Sequence, residues 1–200
     1  MKKPNPLLEK FSKIISTAFN PIFSLVAFFI YNFYQQPTGQ SFSTTFLPLL
    51  LGIILPIILW IFWNVKRGKY TDSDVSNQGQ RNSLYLVIVG LLCAFLVWDH
   101  QANQNIDIKI AFLLLLFLLM MLSNFFIKSS MHTAFNTYVS TLFFAINPMV
   151  GGIWLVLTAF VAYTRIVLKR HTPKEIIAGT CIASIVSFIY LYSNILLNLK

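Results

Sequence analysis

Arg165, Lys169, Arg170, His171, Lys174 and Glu175 fall within eleven residues of a chain whose charged residues make up only 10% of its length. Thr172 suits a helix N-cap, Pro173 suits the first helical position, and Glu175 completes a capping box three residues after the cap. His171 therefore stands just before a helix start, with a carboxylate four residues on. Arg165 lies six residues earlier, and the intervening turn can bring it back beside the imidazole. A second constellation is Lys128-Ser129-Ser130-Met131-His132, where Ser130 suits an N-cap and His132 falls in the first turn. Amide groups at such a helix start point outward and favour an anion. A third runs from Asp74 to Arg81. These residue types, basic side chains beside a helix start, suit binding of an anion.

The elements that hold these groups follow from the rest of the chain. A hydrophobic content of 56% excludes an ordinary soluble domain, and the apolar residues come in long blocks. The expected fold is all-α, a single polytopic transmembrane bundle over residues 1–200. We read about seven spans, near 16–35, 44–65, 83–98, 107–127, 131–146, 149–168 and 174–196. Six spans with one re-entrant hairpin is the alternative, since the fifth is short and Ile146 to Gly152 is a tight Pro/Gly break. The basic N-terminal stretch is followed by no small-residue cleavage site, so the first span is expected to be uncleaved.

Basic residues set the expected orientation. The N-terminal lysines, the loop carrying Lys66, Arg67, Lys69 and Arg81, then Lys128 and the cluster from Arg165 to Lys174 all share one side under seven spans. Only Lys109 and Lys200 fall opposite. The positive-inside rule makes the crowded side cytoplasmic. Even numbers of crossings separate the three constellations, so all three are expected on that face. The net charge of +9 lies between apolar runs, which points to anionic lipid headgroups and not to nucleic acid.

Other polar residues have simpler readings. Asp72 and Asp74 suit turns, and His100 lies across the membrane from the rest. Trp60, Trp63, Trp98 and Tyr163 suit interfacial anchors. Cys93 and Cys181 both sit in apolar runs, which disfavours a disulfide or a CxxC site. Three histidines and six carboxylates spread over both faces give no metal-ligand spacing, and no cofactor is implied.

Taken together, the motifs resemble those of the type 2 phosphatidic acid phosphatase superfamily. That family's signature is Lys-x6-Arg-Pro, then Pro-Ser-Gly-His, then Ser-Arg-x5-His-x3-Asp. Here the third motif is Thr164-Arg165, five residues, His171, three residues, Glu175. The second is Ser129-Ser130-Met131-His132. The first keeps Arg81-Asn82, with Asp74 where the Lys is expected, and Lys128 could supply that charge instead. The resemblance covers roughly residues 66 to 180. It implies a bacterial inner-membrane lipid phosphate or polyprenyl diphosphate phosphatase that works without a metal. By that resemblance His171 is the nucleophile, giving a phosphohistidine. Glu175 orients it, and His132 protonates the leaving alcohol and then activates water. Arg81, Arg165, Ser130 and Lys128 bind the phosphate. Two alternatives stay open: an inactive relative that only binds anionic lipid, and a small membrane transport component. Nearly all charges lie at span ends, which argues against a transport path.

Overall fold

A computed structural model describes residues 5–35 and 42–198, and the described part is helical, without strands. Its helices are α1 (Pro6–Ala18), α2 (Pro21–Gln35), α3 (Phe42–Leu49), α4 (Leu55–Lys66), α5 (Gln78–Asn103), α6 (Ile108–Ser123), α7 (Met131–Ile146), α8 (Pro148–Val167) and α9 (Pro173–Asn198). A π-helical turn, Leu50–Ile54, joins α3 to α4. Four helical stretches are long and apolar enough to cross a bilayer: Phe46–Lys66, Gln78–Asn103, Pro148–Val167 and Pro173–Leu197. Counting α1 and α2 as one broken span brings the total to five. These helices mark an integral membrane protein.

The differences from the expected spans have local causes. The first expected span is two helices bent by 52°. Asn20 accepts from the amides of Ile22 and Phe23, so it caps a new helix that opens at Pro21 and cannot continue the old one. In the second, Pro56 lacks the amide a regular helix needs, and its ring would meet the carbonyl of Gly52. The backbone takes a π turn just before it, and Leu55 N–H reaches back to the Leu50 carbonyl. Helices α6 and α7 have 16 residues each, about 24 Å of rise against the ~30 Å hydrocarbon core.

The chain clusters into two compact units, Met1–Gln35 with Ile127–Lys200, and Gln36–Phe126. In the first, α7 is the central rod, packed by α2, α8 and α9, and every residue from His132 to Phe143 is buried. That run is half polar, so each polar group must find a partner inside protein. Thr137 and Thr141 donate to carbonyls one turn back. Asn136 forms a hub: its oxygen accepts from the Ser24 hydroxyl (2.9 Å) and the Trp154 indole (3.1 Å). Its amide donates to the Phe19 and His132 carbonyls. One side chain thereby ties the α1–α2 break to α7 and α8. Where α7 turns into α8, Ser140 donates to the Gly151 carbonyl. A Cβ on Gly151 would lie 2.5 Å from Phe144, so only glycine permits that approach.

In the second unit α5 and α6 pack as a hairpin. Asn77 caps α5 and Asp107 caps α6. The loop before α5 is a run of turns. Tyr70 bonds Ser83 and Trp60, and Asp72 bonds Ser76.

Candidate active site

The α8–α9 turn is built as the spacing predicted, with one residue under strain. Lys169 adopts φ 54, the left-handed region that glycine usually fills after a helix. That conformation returns the chain so that the Arg165 carbonyl accepts both the Arg170 and His171 amides, at 3.0 and 3.3 Å. Arg165 and His171 are thus joined through the backbone. Both are buried, at 1% and 5% exposure.

The capping box then forms reciprocally. Glu175 N–H donates to the Thr172 hydroxyl and Thr172 N–H donates to Glu175 Oε2. The same Oε2 lies 2.8 Å from His171 Nδ1 and 4.0 Å from Lys128 Nζ. Capping and imidazole orientation, the two roles expected of Glu175, fall on one oxygen. The carboxylate assigns the proton of the neutral ring to Nδ1, so the lone pair sits on Nε2, at the opposite edge of the ring.

Helix α7 begins against this turn. Ser130 N–H donates to the Glu175 carbonyl at 2.9 Å, and Lys128 Nζ donates to the Arg170 carbonyl at 3.0 Å. Ser130 caps α7, its oxygen accepting from the Thr133 amide and hydroxyl. A hydroxyl that accepts twice keeps its own proton to donate. The two helix starts meet because α9 carries Gly179 at the contact: a Cβ there would lie 2.7 Å from the Ser130 carbonyl oxygen. His132 follows in the first turn of α7, 5% exposed.

Lys128, Ser130, His132, Arg165, His171 and Glu175 therefore belong to one unit and one junction of two helix starts. Arg81 and Asp74 belong to the other unit. There Arg81 is buried and its Nε donates to the Val75 carbonyl at 3.0 Å, which holds a second left-handed residue, Val75 at φ 47. Asp74 precedes Val75 in that turn.

Ser16 was missed by sequence reasoning. It lies on α1, is 6% exposed, and its hydroxyl accepts from the Arg165 guanidinium at 2.8 Å. The available signal was the pairing of Ser12 and Ser16 at helical spacing in Lys10 to Ser16, a stretch otherwise apolar and basic. In comparisons with protein-family models, curated proteins and solved structures, nothing matches the chain.

Proposed function

We propose that the protein is a membrane lipid phosphate or polyprenyl diphosphate phosphatase working through a phosphohistidine. The observation that carries this reading is the His171–Glu175 pair at the start of α9, braced by Lys128 and backbone-linked to buried Arg165. An imidazole held by a carboxylate at Nδ1, in a turn that opens on a buried arginine, suits attack on an anionic phosphoryl group. In the first step His171 Nε2 forms the P–N bond as the P–O bond to the lipid alcohol breaks, and protonated His132 gives its proton to the departing oxygen. In the second, His132 takes a proton from water, the water oxygen attacks phosphorus, and the P–N bond breaks to release inorganic phosphate. Glu175 offsets the positive charge on the phosphorylated ring.

The junction at helix ends suits a substrate whose tails remain in the bilayer while its phosphate reaches the two helix starts. With α6 and α7 read as crossings too, the charge bias favours the cytoplasmic side of an inner membrane for this junction. Phosphate release by the purified protein from a panel of lipid phosphates and diphosphates tests the reading. Turnover of at least one of them, slowed by His132→Ala, is expected. Binding of those lipids without release of phosphate would refute it.

A further inference from the structure

Helix α1 is amphipathic in the sense opposite to a soluble helix. Leu7, Phe11 and Ile14 share its outer face and are 76%, 59% and 59% exposed, while the face turned into the protein carries Ser12 and Ser16, 1% and 6% exposed. In a bilayer the outer stripe belongs against lipid. The inner stripe demands another explanation, because hydroxyls are costly to bury unless something polar lies opposite them. For Ser16 that something is Arg165. Ser12 Oγ is buried and has no hydrogen-bond partner among the described residues.

The packing direction says where Ser12 lies. Phe19 stacks edge-on against Trp154 with ring centroids 5.4 Å apart, and Ser16 meets Arg165 eleven residues further along α8. Moving back along α1 therefore moves forward along α8. One more turn, about 6 Å of rise, carries Ser12 further in that direction, toward the end of α8 where the turn that holds His171 begins.

Resting on the phosphatase reading above, we propose that α1 is the third wall of the phosphate site. Ser12 donates its hydroxyl to a phosphoryl oxygen of the substrate, and Ser16 is a positioning residue that aims the Arg165 guanidinium. The site thus takes a phosphate monoester beneath a helix whose other face lies in the lipid, so lipid contact and phosphate binding fall on opposite faces of one element.

Stability and affinity separate this from a merely structural role. Ser12→Ala removes a buried hydroxyl without a partner and adds helix propensity, so thermal stability should hold or rise. Affinity for orthovanadate should fall by about tenfold or more, the range for a hydrogen bond to a charged group. Ser16→Ala should weaken it too, and Ser16→Thr, which keeps the hydroxyl, should restore it. The full chain in detergent is titrated with orthovanadate and, separately, with a lipid phosphate monoester in mixed micelles. Weaker binding of both probes with unchanged or raised stability is the expected result. Wild-type affinity of Ser12→Ala for both probes, or a loss confined to the lipid probe, would overturn the assignment of Ser12 to the phosphoryl group and leave the phosphatase reading standing. A wild-type chain that binds neither probe would overturn both.

Discussion

Gly179→Ala should damage both the fold and the chemistry, although alanine is ordinarily the better helix former. In an open helix the exchange gains about 1 kcal/mol. At Gly179 the new Cβ would stand 2.7 Å from the Ser130 carbonyl oxygen and 3.1 Å from its nitrogen. Ordinary contact begins near 3.4 Å, so α7 and α9 must separate by roughly 0.7 Å, and both atoms met are backbone that cannot rotate away. Overpacking of this kind costs about 1–3 kcal/mol. The Ser130 N–H bond to the Glu175 carbonyl, worth about 1 kcal/mol, is stretched by the same movement. Net destabilisation should be about 1–3 kcal/mol, or several degrees in the unfolding temperature of a 200-residue chain. Turnover should fall further than stability, because the cap of α7 and the carboxylate that holds His171 move apart. Thermal unfolding in detergent and phosphate release would be measured beside Gly90→Ala and Gly152→Ala, where a Cβ meets nothing within 4 Å. Those two should be neutral or stabilised. A Gly179→Ala protein as stable and active as either control would refute the close approach of α7 and α9.

Glu175→Gln keeps an acceptor for the Thr172 amide but removes the charge beside His171 Nδ1. Stability should stay near wild type while turnover drops on the order of 10²-fold, and equal turnover would leave Glu175 as a cap only. Asn136→Leu strands the Ser24 and Trp154 donors and the Phe19 carbonyl in the core of the first unit, so unfolding free energy should fall by more than about 3 kcal/mol. A loss below about 1 kcal/mol would show the hub to be dispensable. Single cysteines at Gly79 and Asn103, in a background lacking Cys93 and Cys181, mark the two ends of α5, about 36 Å apart. With a cytoplasmic N-terminus, a membrane-impermeant thiol reagent in intact cells should label position 103 and spare position 79. The reverse would overturn the orientation.

The last three helices were legible because their punctuation is chemical and local. Thr172-Pro173 opens α9, Ser130 opens α7, and the Pro/Gly break from Ile146 to Gly152 parts α7 from α8; the structure starts α7 and α9 at those caps. The Arg-x5-His-x3-Glu spacing was likewise enough to put Arg165, His171 and Glu175 at one turn. The same kind of signal, Asn20-Pro21, was present at the α1–α2 break but lay inside an apolar run, and hydropathy averaged over it. What could not be read was anything decided by a distant partner. Apolar content alone makes α7 resemble a lipid-facing span. Two of its polar residues are instead matched from other helices, Asn136 by Ser24 and Trp154 and Ser140 by the Gly151 carbonyl. Likewise Arg165 finds Ser16, 149 residues away in sequence, and no local pattern encodes that pairing. Gly179 shows the limit from the other side: a glycine in a helical pattern reads as a weak point until the backbone it touches is known.

The proposed chemistry is tested most directly by trapping the covalent intermediate. Purified protein would be mixed with a lipid phosphate carrying labelled phosphorus, quenched in alkali within a turnover, and the labelled residue located by peptide mapping. A label that survives base, is lost in acid and maps to His171, and is absent from His171→Ala protein, is the predicted result. Phosphate release with no label on His171, or undiminished turnover in His171→Ala protein, would contradict it.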